Sequence, residues 1–378
     1  MQSILKQEKT YLEELWKRIE EKLGITSERL QDSLPYTTVA GRYNDCDPKD
    51  RSWWTNTFWA GILWHLYEET KQEKYRTWAR SIEEKMDIVV FQYDDLHHDV
   101  GFMWLLCSVM DHEATGDTQA RRRALLAASV LSSRYNLAGG YIRAWNGNNN
   151  GWAIIDCMMN IPLLFWASEQ SRDDRFKHVA LAHADKTMEH FVRPDGSVNH
   201  IVSFDERTGQ FLEAPRGQGF ANGSAWSRGQ AWAVYGFAQS YNWTGNLKYL
   251  DTAKRVAHFV LAQLAQTGYV PPCDYRQPSD SLLVDSSAGA ITACGLIEIA
   301  KSVPETEKAF YLGGALRILK ALDLNCAVWD LRDEALLSQG TSQFHLDPKG
   351  RWEVSNGSLI YGDFYFVEAV CKLRALIG

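Results

Sequence analysis

A repeated pattern of apolar and polar positions organises this chain of 378 residues. Five times, a polar cluster precedes an apolar helix rich in small and aromatic residues, which a short turn joins to an amphipathic helix with one charged face. The five copies span residues 55–86, 97–135, 156–192, 227–264 and 286–322. A sixth apolar helix at 361–377 lacks a following partner, and an amphipathic helix at about 2–23 lacks a preceding one, so we expect these two to pair.

The repeat predicts an all-α fold, an (α/α)6 barrel of six inner and six outer helices, in a single domain over residues 1–378. A helix that is apolar all round must be buried, whereas a helix with a charged face lies outside. Short inner-to-outer links make antiparallel pairs, so every long loop opens at the same end of the barrel. An α/α solenoid also stacks helix pairs and stays open as an alternative. The long loops cover residues 24–54, 136–155, 193–225, 265–284 and 324–360, with short hairpins expected in 197–211.

The net charge and the cysteine content of the chain indicate which partners and which cellular compartment to expect. The chain carries 40 basic and 47 acidic side chains, and its net charge of −7 argues against nucleic acid or an anionic membrane as a partner. The N-terminal segment lacks the apolar core of a signal peptide, and no run approaches the roughly 18 apolar residues of a membrane span. The seven cysteines are scattered without C-x-x-C spacing, as in reduced proteins. We expect a cytoplasmic monomer or homodimer that uses no cofactor.

Aromatic residues are the unusual part of the composition, with 15 Trp, 16 Tyr and 15 Phe. Many of them stand beside Gly, Asn, Asp or Arg. Core packing accounts for about half of such a set, while aromatic faces also bind the C–H faces of sugar rings. The composition therefore favours a carbohydrate ligand.

Two aspartates at predicted inner-helix starts, Asp99 and Asp156, are the candidate acid and base. The ordinary role of an aspartate at a helix start is to cap free backbone N–H groups, and capping is the alternative for both. Asp156 lies in the apolar segment AIIDCMMN, where lost hydration favours the protonated form and prepares the carboxyl to donate a proton. Asp99 follows His97 and His98 and precedes Gly101, which permits a close approach. Glycoside chemistry normally uses two such carboxylates.

Arg228 begins the fourth inner helix, in the segment SAWSRGQAW. An arginine at this place either pairs with a buried carboxylate or contacts an anionic ligand, and the sequence leaves both open. The loops of the open end add polar and stacking groups at His98, Trp145, His200 and Gln218.

Metal and nucleotide chemistry are disfavoured. His97 and His98 are adjacent and are expected to point to different faces, and no H-x-x-x-H or Cys/His spacing occurs, so we predict no metal. The chain has no Gly-rich phosphate loop and no G-x-S-x-G turn, which argues against nucleotide use and against a serine hydrolase.

Seven segments together resemble the unsaturated glucuronyl hydrolases, glycoside hydrolase family 88. In order, from about residue 50 to the C-terminus, they are WTNTFWAGILW, DDLHHDVGFMW, YIRAWNG, IIDCMMNIPLLFWASEQ, GSAWSRGQAWAVYGFA, DSSAGAITACGLIEIA and YGDFYFVEAV. The HHD-x-GF, IIDC-x-x-N and SRGQAW segments are the specific ones. The resemblance implies an (α/α)6 barrel that acts on the products of polysaccharide lyases, which carry a 4,5-unsaturated uronic acid at the non-reducing end.

The resemblance also implies residue roles. Asp156 matches the general acid and base, which protonates C4 and then activates water to add at C5, after which the hemiketal opens and the glycosidic link breaks. Asp99 matches the second aspartate, which holds ring hydroxyls and assists Asp156. Arg228 and nearby polar groups would meet the acidic sugar. Family pocket positions fall on Trp54, His98, Trp145, His200, Gln218, Trp226, Arg228 and Trp232.

Three other functions stay open: an unsaturated rhamnogalacturonyl hydrolase, a sugar 2-epimerase and a non-catalytic sugar-binding protein. The HHD and IIDC motifs favour the glucuronyl family, with glycosaminoglycan-type disaccharides as substrates. An epimerase relies on catalytic histidines at inner-helix starts, where only His98 qualifies. Loop 324–360 departs from the family, and four of its residues either meet a sulfate on the next sugar or belong to a solvated loop: Lys349, Arg351, Ser355 and Ser358.

Overall fold

The structure is a computed structural model that describes residues 2–92, 94–147, 149–347, 350 and 352–377. Its α-helices are α1 (Gln2–Leu30), α2 (Phe58–Thr70), α3 (Glu73–Lys85), α4 (Val100–Trp104), α5 (Met110–Thr115), α6 (Thr118–Ser133), α7 (Pro162–Ser171), α8 (Asp174–His190), α9 (Ser227–Thr244), α10 (Leu247–Leu264), α11 (Ser286–Ser302), α12 (Glu305–Asn325) and α13 (Ile360–Ile377). A π-helical segment, Leu105–Val109, joins α4 to α5, so these two form one interrupted inner helix.

Burial separates the inner helices from the outer ones, as the apolar pattern predicts. In α11 every residue from Ser286 to Ala300 is buried, because other helices surround it. In α10 the buried residues include Tyr249, Ala253, Val256 and Val260, which recur every three or four positions on one face. That face packs on α9. Among the helices of the described residues, none combines the length and the apolarity needed to cross a bilayer.

Short turns join inner to outer helices at one end of the barrel, the closed end. Four of these turns begin with a residue in the left-handed conformation, which ends the inner helix. These residues are Lys71, Gly116, Arg172 and Gly245, with φ of 57°, 74°, 57° and 66°. Three of the outer helices that follow are capped by side chains that accept hydrogen bonds from backbone N–H groups. These residues are Asp117, Asp173 and Asn246. The predicted antiparallel pairs are confirmed.

Contacts between the inner helices close them into a ring. Helix α9 packs on α7 and α11, α11 packs on α13, and α13 packs on α2. Helix α2 meets the π-helical segment after α4, and α4 packs on α7, which completes the ring. Helix α1 packs on α13, as expected of the two unpaired helices. A solenoid would leave its first and last helix pairs apart, so the (α/α)6 barrel is confirmed and the solenoid is excluded.

The first helix is longer than the pattern predicts, since α1 continues to Leu30 instead of ending near residue 23. The Gly, Thr and Ser of GITSERL are weak helix formers, which is why the sequence indicates an earlier end. Tertiary contacts hold the last turns, because the hydroxyl of Thr26 donates to the carbonyl oxygen of Glu334 at 3.3 Å and the guanidinium of Arg29 pairs with the Glu334 carboxylate. Packing against the loop after α12 therefore overrides the local preference.

The long loops gather at the opposite, open end and form short antiparallel strands. These are β1 (Thr38–Val39), β2 (Arg42–Tyr43), β3 (Tyr135–Asn136), β4 (Tyr141–Ile142), β5 (Trp152–Ile154), β6 (Ile201–Phe204) and β7 (Phe211–Glu213). Strands β6 and β7 form the hairpin predicted around 197–211, and β5 pairs with β6 on its other side. The small sheet ties together two loops that are distant in the chain.

Candidate active site

Asp99 and Asp156 meet at the open end through one side-chain amide. Asn160 is fully buried, and its Nδ2 donates to the carbonyl oxygen of Asp156 at 3.0 Å and to Oδ1 of Asp99 at 3.4 Å. Its Oδ1 accepts the backbone N–H of Phe102 at 2.7 Å, so the same amide fixes the start of α4. The two predicted aspartates are therefore held in register by a third residue.

A glycine allows this close approach. A Cβ on Gly101 would lie 2.3 Å from both Cα and the carbonyl oxygen of Asn160, so a side chain does not fit there. The role expected of Gly101 is confirmed, with the backbone of Asn160 as its neighbour. Sequence reasoning gave Asn160 itself no role. The available signal was its place in the IIDC-x-x-N motif. The third inner helix does not begin at Asp156 as predicted, because residues Ile155–Met159 form a 3₁₀ helix and α7 begins at Pro162.

The carboxylate of Asp99 does not act as a helix cap. It occupies the N-cap position of α4 but accepts no capping hydrogen bond from the helix. Instead, Oδ1 faces Nε2 of His98 at 3.1 Å, and Oδ2 faces Nδ1 of His97 at 3.3 Å. Burial raises the pKa of a carboxyl, but the imidazoles, His98 first, hold the pKa of Asp99 below its ordinary value. The expectation that His97 and His98 point to different faces is wrong, because both rings turn toward Asp99.

Hydrogen bonds define the proton positions on His98. Its Nδ1 lies 2.9 Å from the carbonyl oxygen of Ala144, which only accepts, so Nδ1 carries a proton. Its Nε2 faces Asp99. Burial lowers the pKa of His98, Asp99 and weaker contributions from Asp156 and Ala144 together raise it, and the net direction is upward. Trp145 packs edge-on against the ring at 5.5 Å between centroids, so the loop after β4 seats His98 in the site.

His200 takes the complementary position beside Asp156. The backbone N–H of Gln218 donates to Nδ1 of His200 at 2.9 Å, which places the proton of the neutral ring on Nε2. This Nε2 lies 3.4 Å from Oδ2 of Asp156, and neither atom has a hydrogen-bond partner among the described residues. Gly217, with φ of 59°, makes room, since a Cβ there would lie 1.9 Å from Nδ1 of His200. Asp156 therefore presents an oxygen beside a single N–H donor.

The small sheet sets His200 next to Asp156. Strand β5 pairs with β6 with Ile154 opposite Ile201, and one residue further the N–H of Ile155 donates to the carbonyl oxygen of His200 at 3.0 Å. The sequence predicts the β6–β7 hairpin but not β5, because the three residues of this strand carry too short a pattern. The juxtaposition of the two side chains was therefore not visible in the sequence.

Arg228 pairs with a buried carboxylate, the first of the two alternatives left open. Its Nη1 forms an ion pair with Asp285 and donates to the carbonyl oxygen of Thr341 at 2.9 Å, while Nη2 donates to that of Ser342. Burial lowers the pKa of Arg228, Asp285 and weaker neighbours together raise it, and the net direction is upward. The guanidinium also lies over the ring of Trp226, 4.5 Å from its centroid. The charge of Arg228 is thus balanced inside the protein.

A cavity of about 250 Å³ opens beside Arg228. Three of the predicted substrate contacts line it, namely Trp54, Gln218 and Arg228. Loop 324–360 supplies much of the remaining wall, and Gln218 is tied to it because Nε2 of Gln218 donates to the carbonyl oxygen of Ser342 at 2.8 Å. The other lining residues are Tyr36, Trp53, Ser342, Gln343, Gly350, Trp352, Glu353 and Tyr361.

Loop 324–360 builds its wall with an aromatic pair that the sequence analysis missed. Trp53 and Trp352 stack with their ring centroids 4.5 Å apart and their planes at 15°. Ser355 is exposed, whereas Ser358 is buried and accepts a hydrogen bond from the hydroxyl of Thr38 at 3.2 Å. The pattern of a loop says little about such contacts, because its partners come from distant segments. Lys349 and Arg351 lie outside the described residues.

Trp232 is placed apart from the other predicted contacts. It is fully buried, with Phe102 on one side at 5.1 Å and Tyr365 on the other at 5.5 Å between ring centroids. It therefore packs beneath the site and does not line the cavity. Its predicted contact with a substrate stays a prediction.

Known proteins with the same fold and sequence pattern exist. The sequence profile of Glycosyl Hydrolase Family 88 matches residues 26–276. An unsaturated glucuronyl hydrolase of Bacillus sp. (strain GL1) is 38% identical over 378 residues, covering 95% of this chain and 97% of that protein. An unsaturated chondroitin disaccharide hydrolase of Streptococcus pyogenes serotype M1 is 33% identical over 346 residues, covering 89% of this chain and 85% of that protein. The crystal structure of the Bacillus sp. GL1 enzyme superposes with a TM-score of 0.88 at 37% identity, covering 96% of this chain and 97% of that one.

The helical barrel holds two carboxylates at the end that carries its long loops. Its relatives are hydrolases, and they match it over nearly its whole length. The protein is therefore a glycoside hydrolase. The profile match extends over more than half of the chain. The chain belongs to glycoside hydrolase family 88.

Proposed function

We propose that this enzyme removes the 4,5-unsaturated uronic acid from the non-reducing end of lyase-generated oligosaccharides, with glycosaminoglycan-type disaccharides as substrates. Membership of family 88 supports the proposal, as do its relatives, an unsaturated glucuronyl hydrolase and an unsaturated chondroitin disaccharide hydrolase. The observation that carries it is the position of Asp156, whose Oδ2 lies 3.4 Å from Nε2 of His200 and accepts no hydrogen bond from the residues that the structure describes. A carboxyl held in this way is able to move a proton to and from a substrate.

In the proposed mechanism Asp156 acts first as an acid and then as a base. It gives its proton to C4, where the electrons of the C4=C5 bond form the new C–H bond and leave positive charge on C5 and the ring oxygen. The Asp156 carboxylate then takes a proton from water while the water oxygen bonds to C5. The resulting hemiketal opens to a ketone, and the hemiacetal left at C1 collapses and releases the next sugar. One water molecule is consumed.

Neighbouring residues position the reacting groups. The Nε2–H of His200 faces the Asp156 carboxylate and stabilises its charge between the two proton transfers. Asp99, held by His98 and Asn160, accepts hydrogen bonds from the ring hydroxyls of the sugar. The other proposed substrate contacts are Trp54, Trp145, Gln218, Trp226, Arg228 and Trp232.

The proposed location is the cytoplasm. All seven cysteines are free in the structure, and all but Cys371 are buried. Free thiols in this number suit a compartment that keeps them reduced. Fractionation of the source cells beside a cytoplasmic marker enzyme tests the location.

Incubation with unsaturated chondroitin, hyaluronan and heparin disaccharides tests the function. We expect loss of the ultraviolet absorbance of the C=C bond together with release of the second sugar. In D2O, hydration places one deuterium on C4 of the uronic acid product, and in H2 18O the label enters at C5, both of which mass spectrometry detects. Attack at the anomeric carbon would instead release the sugar with the double bond intact. An unchanged spectrum with every disaccharide would contradict the proposal.

A further inference from the structure

Three side chains of ligand type converge on one point at the edge of the site. Nδ1 of His97, Nε2 of His98 and a carboxylate oxygen of Asp99 all lie within 4.8 Å of one another. The individual separations are 3.3 Å from His97 to Oδ2 of Asp99 and 3.1 Å from His98 to Oδ1. A tetrahedral ion with metal–ligand bonds of roughly 2.0–2.1 Å requires ligand atoms about 3.3 Å apart. The two separations between histidine and carboxylate, each to a different oxygen of Asp99, are close to this value.

The hydrogen bonds of these residues leave one nitrogen of each imidazole facing Asp99, where an ion would bind. Nδ1 of His98 is engaged by the carbonyl oxygen of Ala144, an arrangement typical of metal-binding histidines, because it directs the other ring nitrogen to the ion. Nδ1 of His97 is buried and lies 3.3 Å from Oδ2 of Asp99, but among the described residues no contact gives it a hydrogen bond. A buried polar atom without a partner costs free energy unless something binds it. The three residues would also leave a fourth position for water or a sugar hydroxyl.

We propose that His97, His98 and Asp99 bind one divalent transition-metal ion, with zinc the best match, and that the bound ion inhibits the enzyme. Two imidazoles and one carboxylate select zinc, copper or nickel, whereas magnesium and calcium prefer sites built from oxygen atoms. The inhibition rests on the proposed function, in which the Asp99 carboxylate contacts the sugar ring. An ion on this carboxylate would remove that contact and block the place of the ring.

Metal binding is tested without any substrate. The protein is freed of metal with a chelator and titrated with Co2+, whose visible absorption reports a four-ligand site. We expect a saturable band at one Co2+ per chain that Zn2+ displaces, and a dissociation constant at least about tenfold higher in His97→Asn. His178→Asn removes an exposed histidine of α8 and serves as the matched control with unchanged binding. The same loss in both variants, or no saturable band in the unmodified protein, overturns the site.

Inhibition is then measured with Zn2+ and an unsaturated disaccharide. Each protein is compared with its own rate in the presence of a chelator, so differences in basal activity do not enter. We expect Zn2+ to inhibit the unmodified enzyme and His178→Asn equally, His97→Asn to require at least about tenfold more Zn2+, and EDTA to restore all rates. Equal inhibition of all three proteins overturns the inhibitory role. If no disaccharide is turned over at all, the proposed function fails, while the Co2+ titration still decides the metal site.

Discussion

Nε2 of His200 lies 3.4 Å from Oδ2 of Asp156, on an imidazole whose other nitrogen accepts the backbone N–H of Gln218. The peptide N–H therefore determines which nitrogen carries the proton, and that proton faces the carboxyl proposed to transfer protons. In the proposed mechanism this donor faces the Asp156 carboxylate in the interval after it has protonated carbon and before it recovers a proton from water. One carboxyl can thus serve both half-reactions.

The substitution Asp156→Asn tests this role most directly. The amide keeps the size of the side chain but cannot transfer the proton, so we expect kcat to fall by roughly 10²–10⁴-fold. The melting temperature should stay unchanged, because Asn160 bonds to the backbone oxygen of residue 156 and not to its side chain. Asp99→Asn should lower kcat by less, since Asp99 assists. Normal turnover by a folded Asp156→Asn protein would remove this residue from the mechanism.

The close contact between Gly101 and Asn160 predicts that even a methyl group at position 101 lowers the activity. Gly101→Ala would push the start of α4 away from Asn160, so we expect a loss of about 1–3 kcal/mol in the free energy of unfolding. A displacement of about 1 Å between Asp99 and Asp156 should also lower kcat by roughly 10²-fold. Urea denaturation and steady-state kinetics measure the two effects.

Gly24→Ala is the matched control for this substitution. Gly24 lies inside α1, and the nearest atom to a new Cβ is the Tyr75 hydroxyl at 3.9 Å, so the alanine fits. We expect this variant to gain about 0.5–1 kcal/mol of stability through its better helix propensity, with unchanged kcat. Equal stability and equal kcat in the two alanine variants would show that the close approach at Gly101 has no role in function.

The buried ion pair between Arg228 and Asp285 predicts that a second substitution restores the stability that a first one removes. Arg228→Met leaves the carboxylate of Asp285 buried without its partner and should cost about 3–5 kcal/mol of stability. The double variant Arg228→Met/Asp285→Asn should recover most of this loss, because no unpaired charge remains and the amide oxygen can still cap α11. Denaturation curves of the three proteins decide the point. A single variant as stable as the unmodified protein would show that the pair contributes nothing to folding.

Glu83 predicts a pH-dependent stability that is separate from catalysis. Burial raises the pKa of Glu83 from 4.5 to about 7, with Arg123 at 3.6 Å compensating only in part. Between these two pH values Glu83 holds a proton in the folded protein that it releases in the unfolded chain. The contribution of protonated Glu83 to stability is therefore complete below pH 4.5 and is lost as the pH rises through 7. We expect a fall of about 1–3 kcal/mol in the free energy of unfolding over this range.

Two neighbouring variants isolate this effect. Glu83→Gln should flatten the slope of stability against pH, because the amide does not titrate. Glu84→Gln alters an exposed glutamate of the same helix and should leave the slope unchanged. Urea denaturation at a series of pH values compares them, and identical slopes for the two variants would assign the pH dependence to another group.

The barrel could be predicted because its signal is spread over the whole chain. Six apolar helices alternate with amphipathic ones, and four of the turns at the closed end begin with a left-handed residue, so an error in one segment does not change the predicted architecture. The error in the helix bounds, the length of α1, arose where Thr26 and Arg29 bond to Glu334, a distant residue that no local pattern reveals.

The site was predictable as a set of residues but not as a set of contacts. Asp99 and Asp156 stood at helix starts, yet the amide of Asn160 that joins them depends on packing between two helices. The turn of both His97 and His98 toward Asp99 follows from backbone geometry just before α4, which residue type does not determine. The alternatives for Arg228 stayed open for the same reason, since Asp285 comes from another inner helix start.

The four left-handed turns of the closed end offer a way to raise the stability of the protein without touching catalysis. Gly116 and Gly245 already occupy two of the left-handed positions, whereas Lys71 and Arg172 hold the same conformation with a full side chain. Left-handed backbone costs a residue with a Cβ about 1–2 kcal/mol, part of which glycine returns through its greater freedom in the unfolded chain. Glycine at both positions would therefore be expected to raise the heat resistance of the protein, at the end of the barrel farthest from its chemistry.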